Sequence, residues 1–351
     1  MATTTPDTTT HPLLELAPRA PIVGLAELPT PVLDVRVDGR RIQIKNDGAS
    51  GRLYGGNKVR KLEFLFGDAL ARGFEGVWTI GAVGSNHVLA TSVYARELGL
   101  RCRALHFGQP PTDHVTANLR AVASQGTQLT LVSRVGLPAA IAGAWLQASL
   151  GPQRDYTIPG GGSSSIGALG YVNAGLEFGR QVAAGEARAP DLVYVAAGTG
   201  GTLAGLAVGL GLAGVNCRVV GVGVTEAFVC NHATVHALIA GMRVALRRHG
   251  YRGPWRVAPW SLGWDHLGEA YGVPTAAGAD AIERADADAG LYLEPTYTAK
   301  TFAALLADGR NGAHDGRDVV YWHTLNARPV DALTDPDLDT SALPAGYDDW
   351  L

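Results

Sequence analysis

Short apolar runs alternate with helix-period patterns over most of the chain. Leu62, Leu65, Phe66, Ala69 and Leu70 recur at i, i+3, i+4, i+7 and i+8, one face of a helix, and the apolar run at 77–80 that follows reads as a strand. A second helical pattern starts near His87 and stops at Gly99, a residue type suited to the left-handed position just past a helix end. Runs at 104–107, 129–132, 192–196, 219–224 and 319–322 read as further strands, with helices between them. Such alternation is the signature of βα units and a largely parallel sheet. No period of roughly 20 to 50 residues recurs, which excludes a solenoid. At about 100 to 200 residues per domain, this length makes about two domains. The Gly-rich segment PGGGSSSIG (159–167) is the best place for a crossing between two α/β lobes. A ligand then sits in the cleft near strand ends.

Composition narrows the partners. With 46% hydrophobic residues, 17% charged residues and a formal net charge of −3, the chain has no global field for nucleic acid or anionic membrane. No stretch approaches the roughly 18 apolar residues of a membrane span, so small molecules are the expected partners. Cys102, Cys217 and Cys230 are odd in number, widely spaced and free of C-x-x-C; this argues against a disulfide framework or a zinc site and for a reducing cytoplasm. The N-terminus, MATTTPDTTTHP, lacks the basic and apolar regions of a signal peptide and reads as part of a disordered lead-in over 1–20. The tail, 331–351, carries six aspartates and no lysine or arginine. It reads as solvated, with Tyr347 and Trp350 available for docking onto a neighbour.

Three loops have the composition for chemistry. AAGTGGT (196–202) follows a strand and opens a helix, where glycines let backbone N–H groups approach an anion and the helix dipole favours it. It is neither G-x-G-x-x-G, since position 203 is Leu, nor a Walker loop. IGAVGSNH (80–87) places Ser85 and Asn86 at a helix start, where a serine commonly serves as N-cap. YGGNKVRK (54–61) holds two of the chain's four lysines. On spacing alone it is either a solvated basic helix start or a restrained lysine whose pKa is lowered by the helix dipole, Arg60 and Lys61, as a Schiff-base lysine needs.

The conjunction of these loops resembles the fold type II pyridoxal-phosphate (PLP) enzymes, and within them the family of D-cysteine desulfhydrase and 1-aminocyclopropane-1-carboxylate (ACC) deaminase. GGNKVRKLE (55–63), GAVGSNH (81–87), GALGYV (167–172), GTGGTLAG (198–205), YGVP (271–274), EPTYTAK (294–300) and WHT (322–324) occur in the family's order. The resemblance covers roughly 28–330. It implies a two-lobed α/β fold of open, twisted, largely parallel sheets, similar to the tryptophan synthase β chain, with PLP in the interlobe cleft. The large lobe is expected over 21–65 plus 166–330 and the small lobe over 66–165. The resemblance also implies a homodimer.

Carried over residue by residue, the resemblance implies that Lys58 carries PLP as a Schiff base, with Asn57 beside it, and that Asn86 bonds the cofactor's phenolic oxygen. Gly198, Thr199, Gly200, Gly201 and Thr202 hold the phosphate. Thr298 faces the pyridine nitrogen, where the deaminase has a glutamate and the desulfhydrase a hydroxyl residue. Ser85 faces the substrate, joined by His87, and Tyr271 and Tyr297 match two active-site tyrosines able to serve as acid, base or clamp. The chain departs from the family where Leu325 and Asn326 replace two glycines, where Val88, Leu89 and Ala90 follow S-N-H, and at Lys45, Asn46, Asp47 and Gly48. Leu325 and Asn326 are expected to reshape the substrate side of the pocket.

The expected activity is that of a PLP-dependent lyase or deaminase on a small amino acid. Its leading form is β-elimination of the D-cysteine desulfhydrase type, giving pyruvate, ammonia and a leaving group such as sulfide. ACC deamination, β-replacement or other bond formation in a specialised pathway, and a PLP-binding homologue without catalysis remain as alternatives. Thr298 and His87 favour elimination over ring opening.

Overall fold

The computed structural model describes residues 6–133, 135–150 and 154–351. A short helix α1 (Leu13–Leu16) precedes the hairpin β1 (Val32–Val37) and β2 (Arg40–Asn46). Asp38 and Gly39 form its turn with φ of 52° and 76°, the left-handed pair that a two-residue Asp-Gly hairpin uses. Next come α2 (Asn57–Ala71), β3 (Gly76–Ala82), α3 (Asn86–Glu97), β4 (Arg101–Phe107), α4 (Asp113–Ser124), β5 (Gln128–Val132), α5 (Leu137–Leu150) and β6 (Tyr156–Thr157). The chain continues through α6 (Leu169–Ala183), β7 (Leu192–Ala197), α7 (Gly201–Ala213), β8 (Arg218–Gly223), α8 (His232–Arg248), β9 (Trp260–Gly263), α9 (Ala276–Ala289), α10 (Thr298–Arg310) and β10 (Val319–His323).

Two sheets result. One has the order β5-β4-β3-β6 and is wholly parallel; the other, β1-β2-β10-β7-β8-β9, is parallel except for the β1–β2 hairpin. The segment 159–167 leads from β6 in the first sheet to α6, whose Leu169, Val172 and Phe178 belong to the core of the second. That core lies on one face of the larger sheet, with α6 and α7. Phe302, Leu305 and Ala281 from α9 and α10 cover the other face. The helix α7 (GTLAGLAVGLGLA) carries no charge because it is buried along most of its length. Among the described residues no helix is long and apolar enough to cross a membrane.

The helix α2 serves both cores. Val59, Leu62, Leu65, Phe66 and Ala69 pack into the core of the smaller sheet, whereas Phe64 packs with α6 and α7. The lobe boundary expected between 65 and 66 therefore falls inside a continuous helix. A buried ion cluster fixes the core side of α2. Arg60 donates to Asp47 Oδ1 at 2.7 Å and to Glu177 Oε2 at 2.9 Å, and Lys45 Nζ donates to Glu177 Oε1 at 2.5 Å and Gln181 Oε1 at 2.6 Å. Asp47 Oδ2 accepts from Tyr171 Oη and Trp322 Nε1 at 2.6 and 2.7 Å. Buried charges persist only when paired and hydrogen-bonded in this way.

Three sequence expectations require correction. The lead-in packs from His11 onward, while Asp7, Thr8 and Thr9 are exposed: Leu13 and Ala17 are buried, and His11 Nε2 lies 3.2 Å from the Glu63 carboxylate. Residues 1–5 of that expectation lie outside the described residues. The tail is docked instead of solvated. Tyr347 is buried with its hydroxyl 3.0 Å from His106 Nδ1, and Trp350 Nε1 donates to Gln109 O at 2.8 Å. Third, β1, β2, β6 and β9 were not anticipated, because VLDVRV and RRIQIKN mix charge into the strand pattern and β6 and β9 are only two and four residues long.

Candidate functional site

A cavity of about 450 Å³ opens between the sheets, lined by Ile80–Ala82 at the end of β3, by Ala196 at the end of β7 with Gly198–Thr202 beyond it, and by Thr324–Asn326 after β10. This is where a parallel sheet places ligands, beyond the carboxyl ends of its strands. The start of α2 brings Lys58 to it. A Cβ on Gly55 would lie 2.1 Å from Gly48 O, and Gly56 sits at φ 81°, so the double glycine lets the chain turn tightly into the helix. Lys58 Nζ donates to Asn57 Oδ1 at 2.7 Å and lies 5.9 Å from the centre of the Tyr297 ring. Burial pulls its pKa down to about 8, against a smaller opposing pull from Glu294. The expected cause was different: the helix dipole, Arg60 and Lys61 were to lower it. Arg60 points away into the ion cluster, and desolvation does the work.

The Gly-Thr loop forms a cradle with more members than the loop itself. Gly200, at φ 81°, caps α7 and turns the chain so that the helix N-terminus meets the cavity. Ser163 Oγ lies 2.6 Å from Thr199 Oγ1 and accepts from Gly201 N at 3.2 Å, while Asn57 Nδ2 donates to Thr202 Oγ1 at 3.3 Å. A Cβ on Gly201 would stand 2.5 Å from Ser163 Oγ and 3.2 Å from Lys61 Nζ. Lys61 thus brings its ammonium to the cradle, donating to Gly161 O at 3.0 Å. Burial and the charge of Lys58 lower its pKa well below the ordinary lysine value.

On the opposite wall Ser85 caps α3. Its Oγ accepts from His87 N at 3.2 Å and Val88 N at 3.4 Å, which leaves the hydroxyl hydrogen for another acceptor. Asn86 Oδ1 accepts from Tyr54 Oη at 3.0 Å and Asn118 Nδ2 at 2.9 Å, so its Nδ2 is the end that can serve a ligand. His87 is buried with Nε2 2.9 Å from Thr79 Oγ1, and that hydroxyl donates to Ile158 O. The ring therefore donates through Nε2. Burial, then the charges of Lys58 and Lys61, hold its pKa well below the ordinary value and keep it neutral.

The remaining wall comes from α10 and the loop before α9. Tyr271 Oη and Tyr297 Oη are 2.5 Å apart, and burial raises the Tyr297 pKa well above the usual phenol range. Thr298 Oγ1 accepts from Glu294 N at 2.8 Å and donates back to Glu294 O at 3.2 Å. Glu294 caps the start of α10, accepting from Thr296, Tyr297 and Thr298 backbone N–H groups at 2.7, 2.7 and 2.9 Å. Leu325 and Asn326 both line the cavity. The Asn326 carboxamide, however, is committed within its own surroundings: Oδ1 accepts from Gly55 N at 2.7 Å and Arg328 N at 2.9 Å, and Nδ2 donates to Arg328 O at 2.6 Å. It clamps the loop entering α2, a role the expected substrate contact did not foresee.

The chain is similar to known proteins over most of its length. Residues 23–324 match the family model described as "Pyridoxal-phosphate dependent enzyme". The chain belongs to the pyridoxal-phosphate dependent enzymes. It is 36% identical to D-cysteine desulfhydrase of Salmonella schwarzengrund over 320 residues, covering 88% of this chain and 93% of that one. The crystal structure of an ACC deaminase homologue superposes with a TM-score of 0.74 at 30% identity, over 92% of this chain and 98% of that one. A processed threonine deaminase isoform from Solanum lycopersicum shares the fold, with a TM-score of 0.61 at 16% identity over 95% and 90% of the two chains.

The residues present fit the cofactor of a PLP-dependent enzyme. Lys61 is 2% exposed, and none of the ion pairs among the described residues includes it, so a buried lysine stands beside an anion cradle with no anion of the protein's own to hold its proton. A phosphate supplies that charge. All the expected site residues line the one cavity. Sequence reasoning missed Tyr54, Lys61 as an anion partner, Ser163 and Glu294. Their signals were in the same segments, YGGNKVRK, PGGGSSSIG and EPTYTAK, but which side chain faces inward is set by packing.

Proposed function

We propose that this enzyme eliminates the β-substituent of a small amino acid in the manner of the D-cysteine desulfhydrases it resembles. With one water, D-cysteine yields pyruvate, ammonia and hydrogen sulfide. The observation that carries the reading is Lys58, an amine on the cavity wall with its pKa held down to about 8. About a tenth of it is free amine at pH 7, against less than about a thousandth for an ordinary lysine.

PLP, held by Lys58, the cradle of Gly198–Thr202 with Ser163 and Lys61, and Asn86, supplies an electron sink for charge at the substrate's α-carbon. Lys58 Nζ takes the α-proton. The Ser85 hydroxyl, with both backbone bonds already accepted, donates its hydrogen to the substrate carboxylate. Tyr271 and Tyr297 share one short hydrogen bond, and Tyr297 stays protonated; the pair provides the proton for the leaving group. The neutral Thr298 hydroxyl, rather than a carboxylate, suits a reaction in which charge departs with the β-substituent. The test is a panel of β-substituted alanines of both hands: pyruvate from D-cysteine is expected, and no pyruvate from any member overturns the reading.

A homodimer in a reducing cytoplasm completes the proposal. It is supported by three cysteines that remain free thiols and by the uncharged α5, which exposes Ile141, Trp145 and Leu146 as a face for self-association.

A further inference from the structure

Lys300 is fully buried in the first turn of α10, yet its ammonium contacts no carboxylate among the described residues. Nζ donates instead to two backbone carbonyls, Leu267 O at 2.6 Å and Ala270 O at 3.3 Å. Both carbonyls belong to the loop between β9 and α9, whose residues are mostly half-buried or exposed. Inside that loop Leu267 N donates to Trp264 O at 2.9 Å and Val273 N to Ala270 O at 3.3 Å, and Gly268 and Gly272 sit at φ 74° and 80°. Such a segment has little rigidity of its own. Tyr271 stands in it, with its N–H donating to Glu226 Oε1 at 3.2 Å.

We propose that Lys300 is a positioning residue that ties the 264–275 loop to the start of α10 and so sets Tyr271 against Tyr297. Tyr297 is the N-cap of α10, three residues before Lys300. The lysine therefore fastens the loop carrying one hydroxyl to the turn carrying the other, and the 2.5 Å contact between them no longer depends on the rest of the loop. Charge-assisted bonds to carbonyls suit this task, and a long side chain is needed to reach them from beneath. The proposal rests on the reading of Tyr271 and Tyr297 as proton-transfer groups.

The test compares Y271F, K300M, K300R and the K300M/Y271F double variant as PLP-loaded enzymes, with D-cysteine as probe. K300M is expected to keep its bound-cofactor absorbance and to lower kcat at least about tenfold with KM changed less than about threefold. The double variant should be no slower than Y271F, since a group acting only through Tyr271 has nothing left to position. K300R should recover activity to within about threefold of the native enzyme. Hydrogen exchange of the 264–275 amides should accelerate at least about tenfold in K300M and not in Y271F. Where methionine is not tolerated, K300Q enters the same comparison.

K300M at the native kcat, losses that multiply in the double variant, or unchanged loop exchange overturns the proposal alone. Y271F at the native rate overturns the tyrosine's role and the proposal with it. If the native enzyme releases no pyruvate, the elimination reading falls and the exchange rates alone decide whether Lys300 holds the loop.

Discussion

Lys58, Arg60 and Lys61 occupy one turn of α2 and face two settings. On the core side, Arg60 and the neighbouring Lys45 meet Glu177 and Asp47 within 2.5 to 2.9 Å, with Tyr171 and Trp322 donating to what remains of Asp47. On the cavity side, the hydrogen bonds of Lys58 and Lys61 among the described residues go to neutral oxygens, those of Asn57, Gly161 and Ser163. Both settings are buried, so burial alone does not mark a functional cation. In this turn of α2 the difference is the counter-charge: Arg60, which the protein pairs, is structural, whereas Lys58 and Lys61, which it does not pair, line the cavity and are held ready for a ligand.

Breaking the cavity side at Lys58 should have the largest effect. Lys58→Ala is expected to lower activity at least about 10⁴-fold, roughly 5 kcal/mol in the barrier, while leaving the melting temperature within a few degrees. Borohydride reduction and peptide mapping of the native enzyme should put the cofactor label on Lys58; a label on Lys61 inverts the assignment of the two lysines. The core side breaks differently. Glu177→Ala strands Arg60 and Lys45 without their shared carboxylate and should cost about 3–5 kcal/mol of stability by urea unfolding. A loss below about 1 kcal/mol would show that water or Asp47 replaces it.

Lys61 sharpens the comparison, because it stands on the cavity side without being the attachment point. Lys61→Met should weaken PLP binding by about 10- to 100-fold, the worth of one charge-assisted hydrogen bond at 1.5–3 kcal/mol, yet leave the label on Lys58. Inorganic phosphate should protect native apoprotein against heat more than it protects the variant. A pH series separates the two lysines by a smaller effect. Burial depresses Lys58, so it is protonated below about 8 and free above. Cofactor uptake needs the free amine, and its rate should rise about tenfold between pH 7 and 9 and then level. A flat profile over that range removes burial as the means of activating Lys58.

Much of this was legible in the sequence where the signal is local. The strands at 77–80, 104–107, 129–132, 192–196, 219–224 and 319–322 lie within observed strands apart from one terminal residue, since buried parallel strands read as apolar runs. The glycines of YGGNKVRK and AAGTGGT announce backbone turns that no other residue makes. What was not legible is direction. Nothing in K-V-R-K says that Arg60 turns inward to Glu177, over a hundred positions away, while Lys58 and Lys61 turn to the cavity. Asn326 likewise reads as a pocket substitution and proves to be a clamp on Gly55. Pairings across long sequence separation are set by packing, which a single chain's residue pattern does not encode locally.

The acidic tail applies the same distinction to the surface, with the smallest expected effect. Its six aspartates made a solvated segment the natural expectation, yet among the described residues none of their carboxylates makes a docking contact; Asp335 takes part only through its backbone N–H, which donates to Ser124 Oγ on α4 at 2.9 Å. Tyr347 Oη meets His106 Nδ1 at 3.0 Å and Trp350 Nε1 reaches Gln109 O at 2.8 Å, while Tyr347 and Trp350 pack edge to face 6.4 Å apart. Burial lowers the His106 pKa to about 4, so the ring is neutral and the contact is an ordinary hydrogen bond. Tyr347→Phe keeps the packing and removes that bond, and should cost about 1 kcal/mol with activity unchanged. Because no ion pair among the described residues holds the tail, Trp350 fluorescence should stay constant as salt is raised to about 1 M, where the screening length falls to about 3 Å. A red shift with salt would put the aspartates back in charge of docking.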